Sequence, residues 1–307
     1  VHLMGSSYSD GPLEHYFDLV SLPGLPDGLV FSLVYGPPEA GRGSTMDPAV
    51  SVVVETFSSL VGFDEPDEYG VTGYPNGMVL ADLDGDGLDD IAACIEGIPG
   101  QLHVFMNNGS GGFGTQDIYT VGDHPIDVAA GDFDGDGDVD LATTNYDDDT
   151  ITILSNEGSG TFIESSISPL LVGMGPKGLA AKDLDHDGLD DLIVCCSEDR
   201  AIEVYSGLNL RNGSRDAAQK VDTPGKPEDV DPEDLDKPKF GNVGATTTEP
   251  DQIVTMNVGT DGSLSDPVGY PAGDGPGPIT SDDVDGDGRD DFVVSNTGDG
   301  TVSVLKQ

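Results

Sequence analysis

The chain has 307 residues with 58 acidic and 12 basic side chains, a formal net charge of −46. Such an excess of negative charge argues against nucleic acid and anionic membrane surfaces, both of which need a Lys/Arg face. Yet 36% of the residues are hydrophobic and fall in short, regularly spaced runs. Those runs can bury a core, which excludes a disordered chain.

In chain order, residues 1–10 precede the first marker, Pro12, and are expected to form a strand. Residues 11–72 read as a worn repeat: Pro12, Asp18 and 25–30 stand for the landmarks found later, and 49–54 for a third strand. The four repeats that follow, 73–122, 123–173, 174–224 and 225–273, and the partial one at 274–307, share one plan. An apolar run precedes an Asp-rich nonapeptide; then come a second apolar run, an alternating third, a Gly-rich turn and a fourth extended stretch. In the first of them these are 78–81, 91–94, 102–105 and 116–120. Short β-branched runs divided by turns predict four antiparallel strands per repeat.

The period is explicit. DLDGDGLDD begins at Asp82, DFDGDGDVD at Asp132, DLDHDGLDD at Asp183 and DVDGDGRDD at Asp283, with a degenerate DLDKPKFGN at Asp234. Pro75, Pro125, Pro176, Pro227 and Pro276 each stand seven residues before a nonapeptide. A period near fifty residues with four strands per unit predicts an all-β fold: a β-propeller of six four-stranded antiparallel blades, with seven as the alternative. The last repeat stops after 301–305, leaving a sheet edge that proteins avoid exposing. Residues 1–10 are expected to complete that blade, so that 1–307 forms a single propeller domain.

The nonapeptides carry the chemistry. By count 45 of the acidic residues are Asp, and 20 of these lie in the four full nonapeptides. General solvation would use Glu as readily, so this clustering points to a hard cation. Carboxylates at positions 1, 3, 5 and 9, a Gly at position 6 that permits a sharp bend and a position-7 carbonyl turned inward would supply the six or so oxygens that calcium takes. Magnesium demands stricter octahedral geometry and fits less well. An EF-hand also opens this way, but it needs flanking helices and a position-12 Glu. Position 12 here is Ala93, Thr143, Val194 or Val294, with strand-like flanks.

Repeats of this length with D-x-D-x-D-G-x-x-D between the first two strands resemble the FG-GAP/VCBS family, which includes the integrin α-chain propeller. The resemblance implies calcium ligation by Asp82, Asp84, Asp86, Asp90 and the carbonyl of Leu88. It implies the same for Asp132, Asp134, Asp136, Asp140 with Asp138; for Asp183, Asp185, Asp187, Asp191 with Leu189; and for Asp283, Asp285, Asp287, Asp291 with Arg289. About four calcium ions are expected. None is expected at Asp234, where Lys237, Pro238 and Lys239 replace the loop centre.

The remaining candidates read as structural. His2, His15, His103, His124 and His186 are expected at the surface or in loops, with His186 facing solvent. Cys94, Cys195 and Cys196 are too few for a disulfide framework, and buried inert thiols are expected. Nine of the twelve basic residues lie between Lys177 and Lys239, read as local charge balance in preference to a docking patch. No nucleophile–base pair appears, so a non-enzyme is expected. No apolar run approaches a membrane span. The face opposite the Asp loops would present Tyr74, Glu96, Asp123, His124, Tyr146, Asp147, Asp148, Glu198, Asp199, Arg200 and Asp299, suited to a cationic or calcium-bridged partner. The expectation is an exported, extracellular binding, adhesion or scaffolding module of a larger protein, monomeric, with a protein or glycan ligand. The alternatives are a calcium-dependent lectin and, below it, the propeller of a polysaccharide-degrading enzyme. With no Trp and 6% aromatics, stacking platforms for sugars are scarce.

Overall fold

The computed structural model describes residues 29–35, 50–56, 68–110, 112–206, 208, 218–232 and 242–307. The chain divides into two units, residues 1–68 and 69–307. In the first, β1 (Leu29–Tyr35) pairs antiparallel with β2 (Val50–Thr56) as sheet A, Leu29 opposite Thr56 and Tyr35 opposite Val50. The strand expected at 49–54 is β2. Residues 1–10, with the closing strand expected there, and the degenerate loop at Asp234 lie outside the described residues.

The second unit is a series of antiparallel sheets in chain order, and its described residues hold no helix. Sheet B contains β3 (Pro75–Ala81), β4 (Asp90–Ile95), β5 (Gln101–Phe105) and β6 (Asp117–Thr120). Sheet C contains β7 (Pro125–Gly131), β8 (Asp140–Asn145), β9 (Thr150–Asn156) and β10 (Phe162–Glu164), with β11 (Leu170–Leu171) also on β9. Sheet D contains β12 (Pro176–Lys182), β13 (Asp191–Cys196), β14 (Ala201–Tyr205) and β15 (Gln219–Asp222). Sheet E contains β16 (Lys226–Pro232), β17 (Asn242–Thr248), β18 (Gln252–Asn257) and β19 (Val268–Pro271). Sheet F has three strands, β20 (Pro276–Asp282), β21 (Asp291–Asn296) and β22 (Thr301–Leu305).

The marker prolines are the first residue of the first strand, or in β16 the second, where a missing N–H costs little in the ladder. Each first strand is irregular just after its proline, as between Pro125 and Val128. In sheets B to E the second and third strands are largely buried on both faces, β8 and β13 along their whole length. That is why their apolar runs read as continuous, without alternation. Neighbouring sheets pack face to face. Ala142, Ile151 and Ile153 of sheet C meet Leu192, Val194 and Tyr205 of sheet D, and parallel clusters join B to C, D to E and E to F. The first strands also touch in succession, β3 to β7, β7 to β12, β12 to β16 and β16 to β20. The outward faces of the end sheets are different: Met78, Leu80 and Ile118 of sheet B and Val302 and Val304 of sheet F are exposed.

Candidate cation loops

All four full nonapeptides join the first strand of a sheet to the second, so they lie at the same end of sheets B, C, D and F. Position 1 organises each loop. Asp82 Oδ1 accepts from the N–H groups of Gly85 (2.9 Å) and Asp86 (3.1 Å), and Oδ2 from Gly87 (2.9 Å). Asp132 does the same for Gly135 (2.7 Å) and Gly137 (3.0 Å), and Asp183 for Asp187 (3.2 Å) and Gly188 (3.0 Å). Asp283 accepts from Gly286, Asp287 and Gly288, and these N–H groups, Gly288 first, hold its carboxyl below the usual range. The bend needs φ of 85–90° at Gly87, Gly137, Gly188 and Gly288, a region open to glycine at little cost. Position 4 is also left-handed; in the third loop exposed His186 adopts φ 60° there.

Position 9 is the buried end of each loop. Asp90, Asp140, Asp191 and Asp291 are each 1% exposed. Their Oδ2 atoms accept from position 2, namely Leu83, Phe133 and Leu184 at 2.9–3.1 Å. The Oδ1 atoms of Asp90, Asp140 and Asp291 accept from N–H groups at or just past the end of the third strand, those of Asn107, Asn156 and Gln307. Asp291 departs at its Oδ2, which is buried and has no partner among the described residues. Burial pushes Asp140 and Asp191 up to about 7. Such burial of a carboxylate is costly until a positive charge arrives.

Among the described residues four Asp groups could hold a metal ion: Asp82, Asp84 and Asp86; Asp132, Asp134 and Asp136; Asp183, Asp185 and Asp191; Asp283, Asp285 and Asp291. Within each group one oxygen per residue lies within 4.8 Å of the others. Of the expected ligands, Asp90, Asp140, Asp187 and Asp287 stand outside these groups. The first two are fully engaged by backbone N–H donors. Asp287 pairs with Arg289, and Lys306 reaches Asp285 at 3.2 Å. The unpartnered Oδ2 of Asp291, set among Asp283 and Asp285, is what an all-oxygen site for a hard cation would look like before the ion enters. The residues therefore fit such an ion.

The opposite end of the sheets is chemically unlike this. His124 (φ 52°) sits between two carboxylates, Nδ1 at 2.5 Å from Asp147 and Nε2 at 2.7 Å from Glu96, bridging loops of sheets B and C. The hydrogen bonds to Asp147 and Glu96 raise its pKa. Lys226 meets Glu198, Arg200 meets Glu249 and Lys220 meets Asp199. The basic cluster is thus matched by local acids at the described positions. His124 has its carboxylates in space although no sequence spacing announced them.

His103 corrects the expectation of surface histidines. It is fully buried, between Gln116 (2.9 Å) and Gln101 (3.1 Å), because its strand is covered on both faces. The three thiols are free and buried, and burial raises each pKa, Cys196 to about 12. Two further carboxylates escaped the sequence reading. Asp127 and Asp229 lie on the first strands of sheets C and E, beside a cavity of about 690 Å³ also lined by Lys177 and Glu228. Asp127 Oδ2 accepts from Leu179 N–H of the next sheet (3.0 Å), and Asp229 Oδ2 from Ile279 N–H (3.0 Å). Burial lifts Asp127 to about 6 and raises Asp229. No described helix is long and apolar enough to cross a membrane.

Comparison with known proteins agrees with this architecture. Among solved structures, a protein from Lactobacillus plantarum superposes with a TM-score of 0.53 at 14% identity, covering 95% of this chain and 80% of that one. BBS1N, crystallised in complex with ARL6DN, gives 0.51 at 13% identity, covering 91% and 73%. Both show a shared fold. No curated protein matches the sequence. The FG-GAP-like repeat model matches residues 82–143 and 132–194, which contain the first three Asp loops; this stretch of the chain is built of FG-GAP-like repeats.

Proposed function

We propose that the chain is an exported, calcium-loaded β-propeller that acts as a binding, adhesion or scaffolding module. The observation that carries the calcium reading is the buried, unpartnered Oδ2 of Asp291 inside an Asp283–Asp285–Asp291 group. The same nonapeptide recurs in three more sheets. Calcium tolerates the irregular, all-oxygen donor set that short hairpin loops offer, where magnesium would not. The position-7 carbonyls of Leu88, Asp138, Leu189 and Arg289 complete the sets in this reading. Extracellular modules bind calcium at about 10⁻⁴–10⁻³ M, so loops of that class fill outside the cell and stay empty in the cytosol. Calorimetry on chelator-stripped protein, with anomalous scattering from crystals, should give four calcium ions. Stoichiometry far from four, or preference for magnesium, would sink the reading.

Six blades, closed by residues 1–10 beside β22, form part of the same proposal. It is supported by the three-stranded sheet F and by the exposed apolar faces of sheets B and F, which would otherwise stay wet. A cysteine placed at Val302 should cross-link to one within residues 1–10 and to no other segment. The role is non-catalytic in this reading, since the sequence carries no nucleophile–base motif. Turnover of any polysaccharide by the purified chain would overturn that part.

A further inference from the structure

We propose that the cation loops at Asp132 and Asp183 bind as a coupled pair, with Asp190 as the residue that positions one loop on the other. The inference rests on reading these loops as calcium sites. Asp132 is the first carboxylate of its loop, and both of its main-chain groups are held by Asp190 of the next sheet. Its N–H donates to Asp190 Oδ2 at 2.9 Å, and its carbonyl accepts from Asp190 N–H at 3.0 Å. Asp190 stands between Leu189 and Asp191, positions 7 and 9 of its own loop. A two-bond ring therefore joins the first ligand of one loop to the residue between two ligands of the other.

Local packing makes room for this ring. A Cβ added at Gly131, just before Asp132, would fall 2.8 Å from Asp190 Oδ2 and 2.9 Å from its Cβ. The matching positions in sheets B and D are Ala81 and Lys182. Position 8 is the exposed Asp89 in the first loop and Val139, packed against the core between sheets B and C, in the second; in the fourth it is the buried Asp290, and there the preceding sheet E carries the degenerate loop. The junction of sheets B and C is tied in a looser way. Asn156 Nδ2 donates to the carbonyls of Leu83 (2.7 Å) and Val139 (2.9 Å), neither a ligand in the proposed sets.

A cation that enters one loop freezes its backbone. Through Asp190 the neighbouring loop is then ordered before its own ion arrives, so the second ion binds tighter with no new contact to metal. The effect is reciprocal, since linkage requires each ion to favour the other equally.

The experiment uses the full chain carrying Asp84→Ala and Asp285→Ala, which silence the outer two loops, titrated with calcium chloride in a calorimeter after chelator stripping. Two ions should bind with a sigmoidal isotherm; coupling of about tenfold corresponds to a Hill coefficient of about 1.5. Adding Asp190→Ala, which removes the side-chain half of the ring, should leave two ions and lower the coefficient towards 1. Asp190→Asn, which keeps the acceptor oxygen that Ala lacks but not the charge, should retain the sigmoid, separating positioning from electrostatics. A hyperbolic isotherm with two ions in the starting background overturns the coupling alone, and decides the matter even should Asp190→Ala fail to fold. Unchanged cooperativity in a folded Asp190→Ala chain also overturns it. Absence of calcium binding in every variant overturns the calcium reading beneath it.

Discussion

The two ends of sheets B to D treat their carboxylates in opposite ways. At the Asp-loop end, carboxylates are gripped by backbone N–H groups of their own tight turns, as Asp82 is by Gly85, Asp86 and Gly87. At the other end they meet side chains: Glu96 and Asp147 meet His124, and Glu198 meets Lys226. A backbone donor stabilises a carboxylate without cancelling its charge, and leaves lone pairs for a metal. A side-chain cation offsets the charge it faces, as Arg289 and Lys306 also do for Asp287 and Asp285 in the loop of sheet F. The first arrangement makes stability conditional on an external ion, whereas the second is self-contained and, being exposed, contributes little.

The largest effect expected from this contrast is on chelation. At tenfold saturation each ion favours the folded state by about 1.4 kcal/mol, and four by about 6 kcal/mol, a large share of a domain's stability. Differential scanning calorimetry with excess EDTA should show Tm falling by many degrees, and Asp84→Ala should lower it by less because three loops remain. An unchanged melting curve after confirmed metal removal would show that the Asp-loop end is as self-contained as the other.

A second expectation concerns a carboxylate at neither end. Asp127 is buried on the first strand of sheet C and titrates at about 6 when folded, above the ordinary 3.8. An acid with a raised folded pKa binds its proton more tightly in the native state. Its contribution is therefore most favourable below about pH 4 and is lost as pH rises through 6, amounting to about 3 kcal/mol if fully expressed. Asp127→Asn removes that dependence but gives up one of two accepted N–H bonds. Urea melts at a series of pH values should show the stability of the variant relative to wild type rising between pH 4 and 6 and level above. A flat difference would show that this charge is solvated in the folded protein.

The smallest effect is expected at His124. It is exposed, so His124→Ala should leave Tm and calcium stoichiometry unchanged in side-by-side thermal and calcium titrations. A large loss in either would mean that the opposite end braces the Asp loops through sheets B and C.

The repeat, the strand order and the four loop positions were legible in the sequence because each is local. A turn with Asp at positions 1, 3 and 5 and Gly at 6 closes on its own backbone, and a Pro seven residues earlier starts the strand that delivers it. The placing of β3–β4, β7–β8, β12–β13 and β20–β21 around those turns follows from nothing distant. What the sequence could not disclose lies between repeats. Asp190 looks like one more acidic loop residue until sheet D brings it to the backbone of Asp132, 58 positions away. Asp127 draws no notice at the head of its apolar run until Leu179 presents its N–H, and His103 reads as a surface residue until both faces of its strand are covered. Glu96, His124 and Asp147 carry no spacing that links them. The sequence determines each turn through short-range hydrogen bonds, whereas partners across a sheet-to-sheet junction are decided by packing, which sets them only once the sheets have met.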